Sequence, residues 1–313
     1  MDKTPNVQTV SSAGSDFKVV GYYPCWEPDR TDRVNYDVVT HVNYAFAIPT
    51  EDGSLLPLRN PDTARKLVAE AHARGVKTML VVGGWDYEDI PLEATFVRGT
   101  DTDEKREKLA KAIVALCDAY DFDGVDLDWE YPRAGMPSQQ QYEALILDLS
   151  RRLHAEGKLL TAAVIAGTTA DGTVQPEAGA HSERVLEALD WINVMAYDGG
   201  DDEKHSPYRM AVSCGNYWRS RGIPAEKIVL GLPFYARPVY GAYREILEAD
   251  PEAFKKDSIE LDGKTGYYNG IPTIQKKVRF ARENLGGVMI WELSQDTLDP
   301  EKSLLAAIGK AVG

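Results

Sequence analysis

The chain has 313 residues, of which 43% are hydrophobic and 27% are charged, and this is enough apolar mass for a large core. Its formal net charge of −14 would repel a polyanion, which argues against a nucleic-acid partner. No apolar run in the sequence reaches the length of about 18 residues that a membrane-spanning helix requires.

The start of the chain and its cysteines bear on the compartment. Residues 1–16 are polar and contain no hydrophobic signal-peptide core. We expect a flexible tail that remains after removal of a signal peptide, hence a secreted or cell-surface protein; a cytoplasmic start is the open alternative. Cys25, Cys117 and Cys214 have neither CxxC nor zinc-finger spacing, so we expect inert thiols instead of a disulfide framework.

Short apolar runs alternate with helix-periodic segments from Phe17 onward. Each run is rich in Val, Ile, Leu and aromatic residues, which is typical of strands that are buried on both faces. The predicted strands begin at Phe17, Val38, Val76, Phe122, Leu159, Trp191, Ile228 and Gly287.

Predicted helices occupy the intervals between these strands. The first begins at Asn60, with Pro61 at its first helical position, and ends at Gly75. The connection 29–35 is too short to predict a helix. Further predicted helices cover 102–120, 138–157, 182–189, 208–221, 272–285 and 300–313.

This alternation predicts a single (β/α)8 TIM barrel over 17–313. The alternative is a doubly wound open sheet. It would need a glycine-rich nucleotide loop after the first strand, where the chain instead reads YYPCW from Tyr22. The longest irregular segment, 236–271, predicts a modest insertion between strands seven and eight, on the catalytic face of the barrel.

The most informative segment is DGVDLDWE, which runs from Asp123 to Glu130. Because side chains alternate along a strand, Asp126, Asp128 and Glu130 share one face, which we call the carboxylate row. Apolar residues fill the other face, so the row points into the barrel, and Glu130 stands at the C-terminal end where barrel enzymes place their chemistry. Like charges at this spacing raise at least one pKa, which suits a general acid. Clustered carboxylates can also bind Mg²⁺ or Ca²⁺, so a metal site is an alternative interpretation of this segment.

The same segment, continued to DGVDLDWEYP, resembles the DxxDxDxE signature of glycoside hydrolase family 18, the chitinase family. Six other segments fit the family's pattern in the same order: VGYYPCW from Val20, HVNYAFA from His41, GGW from Gly83, MAYD from Met195, GLPFYAR from Gly231 and GGVMIWELSQD from Gly286. The resemblance covers the whole barrel. It implies a retaining hydrolase of β-1,4-linked N-acetylglucosamine (GlcNAc) polymers, which we expect to be a monomer without a metal or cofactor.

The resemblance also implies roles for individual residues. Glu130 would protonate the glycosidic oxygen while the substrate's own acetamide attacks the anomeric carbon. Asp128 would orient that acetamide together with Tyr197, and Asp126 would tune Asp128 with help from Asp123. The implied substrate contacts are Asp123, Asp198, Trp291, Tyr22, Phe46, Trp85, Tyr131, Met195 and Arg237. Packing is the competing role for Phe46 and Met195, and we expect Trp26 and Trp129 to lie in the core.

One position departs from the family's pattern. The third strand usually ends in SxGG, and here Val81 takes the place of the serine. The loss of that hydroxyl would leave Asp126 or Asp123 with one fewer partner, so we expect a shifted pH optimum.

Several substrates and one non-enzymatic role stay open at this stage. Peptidoglycan glycan and the chitobiose core of N-glycans are alternative GlcNAc polymers, and a non-catalytic chitin-binding lectin is a further possibility for the same barrel. The short insertion favours an open cleft and endo-type cutting.

Overall fold

The computed structural model describes residues 17–261 and 263–313, so the predicted tail at 1–16 lies outside the described residues. A closed barrel of parallel strands forms the centre of the molecule. Its strands are β1 (Lys18–Pro24), β2 (His41–Ala47), β3 (Lys77–Gly84), β4 (Gly124–Trp129), β5 (Leu159–Ile165), β6 (Trp191–Met195), β7 (Ile228–Pro233) and β8 (Gly287–Trp291). Pairing of β8 with β1 closes the ring, which confirms the barrel and excludes the open sheet.

Helices follow every barrel strand after the first and pack around the outside of the barrel. They are α1 (Pro61–His72), α2 (Leu92–Gly99), α3 (Asp103–Ala119), α4 (Pro137–Ala155), α5 (Glu183–Ala188), α6 (Tyr208–Ser220), α7 (Tyr243–Ala249), α8 (Ile271–Asn284) and α9 (Leu304–Val312). The sequence did not predict α2 and α7, which are short. The segment that we expected to lack a helix contains a single 3₁₀ turn at Thr31–Arg33.

The two faces of β4 lie in different surroundings. Val125, Leu127 and Trp129 face outward and are almost fully buried under the helices, so the expectation of a core position for Trp129 is confirmed. Asp126 and Asp128 point into the barrel, where they are 0% and 3% exposed. The apolar face thus fixes the strand between barrel and helices, and the acidic face is left to line the interior.

The segment between β7 and β8 forms a small layered insertion at the mouth of the barrel. It contains the hairpin Tyr235–Ala236 with Gly241–Ala242, then α7, then the hairpin Ser258–Leu261 with Lys264–Tyr267. Backbone bonds in both directions between Arg237 and Tyr267 tie its beginning to its end.

Two further expectations concern cysteines and membranes. Cys25, Cys117 and Cys214 are all buried and free, as predicted. Within the part of the chain that the structure describes, no helix combines the length and apolar character needed to cross a bilayer.

Candidate active site

A cavity of about 820 Å³ opens at the C-terminal ends of the barrel strands. Its wall includes Asp128 and Glu130 from the end of β4, Tyr197 and Asp198 just after β6, and Trp291 at the end of β8. A concave site of this size, with a few convergent polar groups among aromatic rings, is the usual form of a small-ligand site. The fold therefore brings these predicted site residues together from three strands.

Asp126 forms the base of the carboxylate row and has a full set of donors. The hydroxyl of Tyr22 donates to its Oδ2 at 2.5 Å, and its Oδ1 accepts from Thr161 Oγ1 at 2.5 Å and from Asn193 Nδ2 at 2.9 Å. Burial raises the pKa of Asp126, and these hydrogen bonds oppose the rise. The donors compensate a carboxylate that would otherwise be costly to bury.

Asp128 lies between its two acidic neighbours and has fewer partners. Its Oδ1 is buried without a hydrogen-bond partner among the described residues. Burial, followed by the charges of Glu130 and Asp126, raises the pKa of Asp128 well above its ordinary value. Asp128 therefore holds a proton more readily than Asp126, although both lie on one strand.

Glu130 ends the row at the floor of the cavity. Burial raises the pKa of its carboxyl to about 7, and the negative charges of Asp198 and Asp86 add to the rise, while a hydrogen bond from Tyr131 opposes it. A carboxyl group with a pKa near neutrality can hold a proton and release it at physiological pH, which is what a general acid must do.

A glycine in β3 permits the close approach of that strand to the row. Gly83 has a φ of 116°, and a Cβ at this position would lie 2.1 Å from the carbonyl oxygen of Asp128. Any larger residue would push β3 away from β4. Glycine at position 83, before Trp85, is therefore required for steric reasons.

Tyr197 and Asp198 face the row from the other side of the cavity. Burial, and next the charge of Asp128, raises the pKa of Tyr197, so its hydroxyl stays protonated and can donate. Burial opposes ionisation of Asp198, but hydrogen bonds from His205 and Tyr235 hold its pKa below the ordinary range. Arg237 Nε, at 3.3 Å from Asp198 Oδ1, also favours the charged form.

Two groups of aromatic rings line the cavity. Phe46 lies 5.7 Å from Trp291 and 5.9 Å from Trp26, measured between ring centroids. In the second group, Trp85 is 63% exposed and its ring centroid lies 6.4 Å from that of Tyr131. The expectation of a core position for Trp26 was wrong, because the chain has left β1 at that point and the ring, 40% exposed, lies over Phe46. Both residues for which packing competed, Phe46 and Met195, line the cavity.

Two predicted substrate contacts lie elsewhere. Asp123 precedes β4 at the opposite end of the barrel, where its Oδ2 accepts from Thr78 N at 2.7 Å and lies 2.9 Å from His72 Nε2. Glu130 is seven positions further along the chain, roughly 23 Å at about 3.3 Å per residue, so the prediction that Asp123 contacts the substrate was wrong. Tyr22 is buried beneath the cavity, where it serves Asp126 instead of a ligand, so that prediction was also wrong.

Sequence reasoning also missed several residues of this region. Thr161 and Asn193 are the polar residues of otherwise apolar strands, and that exception was a usable signal for partners inside the barrel. Asp86, Tyr235 and Tyr240 line the cavity from short segments that follow the barrel strands, where the sequence carries no periodic signal. Over 17–261 and 263–313, no group of His, Cys, Asp or Glu side chains has the arrangement of a metal site.

Known proteins match this chain over nearly its whole length. Residues 18–296 match the sequence profile of the Glycosyl hydrolases family 18. A "chitinase-like effector" of Moniliophthora roreri is 32% identical over 74% of this chain and 61% of its own length. The GH18 chitinase ChiB of Flavobacterium johnsoniae has a TM-score of 0.82 at 29% identity, covering 96% of this chain and 94% of that one.

A third match concerns the fold alone. The chitinase-like agglutinin of Robinia pseudoacacia has a TM-score of 0.79 at 23% identity, covering 94% of this chain and 99% of that one. The chain spans less than two thirds of the length of the curated relatives that it matches first, for example 61% of the effector.

Proposed function

The chain belongs to the Glycosyl hydrolases family 18, and we propose that it cleaves β-1,4 linkages of chitin and chitooligosaccharides with retention of configuration. The observation that carries the proposal is the carboxyl of Glu130, whose pKa is raised to about 7 at the floor of the cavity. Asp128 behind it is buried, and its Oδ1 has no partner among the described residues, so that oxygen can accept a hydrogen bond from a ligand.

The proposed reaction needs no carboxylate nucleophile. Glu130 gives its proton to the glycosidic oxygen as the bond to the anomeric carbon breaks, and the acetamido oxygen of the same sugar forms the new bond to that carbon. The resulting oxazolinium ion is opened by water, whose proton returns to Glu130. Two displacements at one carbon give retention, and the acetamide requirement restricts the target to N-acetylated sugars.

The surrounding side chains have matching roles in this proposal. Tyr197 donates its hydroxyl to the acetamido oxygen and holds it in line for attack. Asp128 accepts from the acetamido N–H and offsets the positive charge that develops on the ring. Asp198 binds sugar hydroxyls, and the indole of Trp291 stacks beneath the sugar at the reacting position.

We test this with Glu130→Gln and the wild type on three substrates: chitooligosaccharides, purified peptidoglycan and a high-mannose glycoprotein. We expect wild-type turnover of the first and a loss of at least about 100-fold in the variant, the lower range for removal of a general acid. Activity that survives the substitution would contradict the mechanism. Turnover of peptidoglycan or glycoprotein alone would assign a different GlcNAc polymer.

A non-catalytic lectin is the second candidate, and the likeness to a "chitinase-like effector" and to an agglutinin fold favours it. The lectin would bind chitooligosaccharides without turnover of any of the three substrates. Calorimetric titration with the wild type, run beside the activity assay, separates the two functions.

The cavity also supports endo-type cutting. Trp26 and Trp85, which are 40% and 63% exposed, both line the cavity, so stacking surfaces for further sugars are available beyond the reacting position. Early products of varied length from a long chitooligosaccharide would support this mode, and release of one short product from the start would contradict it.

We further propose a monomer that acts outside the cell or at its surface, because polymeric chitin does not cross a membrane. Cell fractionation tests the location. A mass near 34.6 kDa in light scattering would support the monomer.

A further inference from the structure

A lysine lies fully buried on α8, outside the wall of the cavity. Lys277 is 0% exposed, and its Nζ donates to Ser206 O at 2.7 Å, to Ser206 Oγ at 2.7 Å and to Asn269 Oδ1 at 2.6 Å. All three acceptors are neutral oxygens. Burial lowers the pKa of this amino group to about 7.

The three bonds join separate parts of the fold. Asn269 lies between the second hairpin of the insertion and α8, and its Nδ2 donates to Ser206 O at 2.9 Å. Ser206 ends the loop that follows β6, and its Oγ donates to Ala196 O at 2.8 Å. Lys277 therefore connects α8, the insertion and the end of β6 through one serine.

Ala196 directly precedes the two residues that face the carboxylate row. The hydrogen bond from Ser206 fixes the peptide that leads into Tyr197, and a backbone bond from Gly199 N to His205 O at 3.0 Å closes the loop behind Asp198. His205, next to Ser206, places Nδ1 at 3.3 Å from the Asp198 amide nitrogen.

Lysine is an energetically unfavourable residue for this buried position. Buried ammonium groups cost free energy, and apolar residues of similar volume often replace buried ions at no loss of stability. An ammonium group that donates three short, directed bonds instead specifies one geometry for the segments that it joins.

We propose that Lys277 is a positioning residue for the hydrolysis, which orients Tyr197 and Asp198 against the carboxylate row through Ser206 and the carbonyl of Ala196. The inference rests on the proposed function, because the two oriented residues act there on the substrate. Lys277 itself touches no substrate.

The first test is Lys277→Met, which keeps the length and volume of the side chain and removes the donors. The matched control is Lys276→Met on the same helix, where the exposed ammonium lies 4.0 Å from the ring centroid of Tyr208. We expect kcat on a chitooligosaccharide to fall by about tenfold to 100-fold, since small misplacements at a reacting centre cost that much. KM should stay within about twofold, because most subsites of the cleft are untouched.

Amide hydrogen exchange gives a readout that does not depend on activity. In Lys277→Met, the peptide covering 196–206 should exchange faster than in the wild type and in Lys276→Met, while β4 stays protected. An unchanged kcat, or a changed melting temperature alone, would assign Lys277 a purely structural role and overturn the proposal.

A second pair of variants covers the case in which Lys277→Met does not fold. Ser206→Ala removes the hydroxyl between Lys277 and Ala196, and Ser206→Thr retains it. Loss of kcat in the first and recovery in the second support the positioning role, and equal kcat in both overturns it. A wild type that hydrolyses none of the substrates refutes the proposed function, whereas normal wild-type turnover with unaffected variants refutes the positioning role alone.

Discussion

Three carboxyl groups on one strand face have three different surroundings. Asp126 receives three side-chain donors, Asp128 has a buried oxygen without a partner, and Glu130 lies at the cavity floor within the influence of Asp198 and Asp86. Environments that push the pKa values of neighbouring acids apart divide their roles. The row therefore contains one carboxyl held by three donors, one whose pKa is raised well above its ordinary value, and one whose pKa is about 7.

The charge of Asp86 influences the pKa of Glu130 and can be removed by substitution. Because that charge raises the pKa of Glu130, Asp86→Asn should lower it, and the basic limb of the kcat/KM profile should move to lower pH. Asp89→Asn in the same hairpin is the control, since Asp89 is exposed and does not line the cavity. A basic limb that stays in place in Asp86→Asn would contradict the assignment of Glu130 as the acid.

Val81 stands beside Asp126 in the β3–β4 register and is fully buried in the apolar part of the barrel interior. Val81→Ser would offer Asp126 a fourth donor and lower its pKa, so the pH–rate profile should shift. Val81→Ala makes the same space without a hydroxyl and should leave the profile in place. An unchanged profile in Val81→Ser would show that the existing donors already saturate Asp126.

His181 is buried between the rings of Tyr142 and Trp218. Neither ring nitrogen has a hydrogen-bond partner in the described part of the chain, and burial lowers the pKa of His181 to about 3. Below a pH of about 6.5, the ordinary histidine pKa, the unfolded chain binds a proton at this position and the folded protein does not. The free energy of unfolding therefore falls as the pH drops below about 6.5. This loss reaches about 2 kcal/mol at pH 5.

His181→Leu removes the titration but keeps an apolar side chain between Tyr142 and Trp218. Its packing cost is independent of pH, so the free energy of unfolding should fall less between pH 7 and pH 5 in the variant than in the wild type. Urea unfolding at both pH values measures the difference. Parallel losses in the two proteins would mean that His181 is protonated in the folded state.

At the scale of elements, the strands were predictable and some helices were not. Strands buried on both faces give continuous apolar runs, and each predicted run became a barrel strand. The short helix α2 follows Pro91 without a side-chain cap, so its start carries no capping signal. The last helix begins at Leu304 and not near 300, because Asp296 accepts hydrogen bonds from the amides of Leu304 and Leu305 and fixes the start there.

The residues of the candidate site were likewise only partly predictable from the sequence. Strand alternation placed Asp126, Asp128 and Glu130 on one face, because that property depends on sequence spacing alone. It could not place Asp123, whose position before the strand puts it at the other barrel end, or Trp26, which lies in a loop after β1. Residues after a strand end depend on the course of the loop, which spacing does not determine.

Two helix ends are attached to the barrel by the same arrangement. His72 in the last turn of α1 contacts Asp123, which accepts from the amide of Thr78; His154 in the last turn of α4 likewise contacts Asp190, which accepts from the amide of Leu160. Each aspartate joins one helix to two strands at the closed end of the barrel.

Asp123→Asn should therefore cost about 1–2 kcal/mol of unfolding free energy at pH 7, through weaker hydrogen bonds to a neutral acceptor. Burial disfavours the charged form of Asp123, but hydrogen bonds with the Thr78 amide and with His72 outweigh this effect and hold the pKa of Asp123 below its ordinary value. This stability is present above the unfolded pKa of about 3.9 and is lost as the pH falls through the folded value, so the two proteins should converge at low pH. Asp121→Asn is the control, because Asp121 is 87% exposed and lies 3.7 Å from His72; a cost that persists at low pH would contradict the charge argument.

At the scale of the whole molecule, the barrel gathers its chemistry at one end. The parallel strands all end there, so groups that are distant in sequence converge on one cavity, while the opposite end carries the aspartate attachments of α1 and α4. The insertion after β7 adds Arg237 and Tyr240 to the mouth and, through Asn269 and Lys277, also contacts the loop behind Asp198.

The net charge of −14 separates the candidate substrates by their response to salt. An anionic polymer such as peptidoglycan is repelled at low ionic strength, and salt screens that repulsion over a Debye length of about 10 Å at 0.1 M. A neutral chitooligosaccharide is neither attracted nor repelled by the net charge of the protein. We expect kcat/KM on chitohexaose to stay constant between low and moderate NaCl, and any cleavage of soluble peptidoglycan fragments to accelerate. A marked salt dependence on the neutral oligosaccharide would mean that ion pairs of the cleft, such as that of Arg237 with Asp198, control catalysis directly.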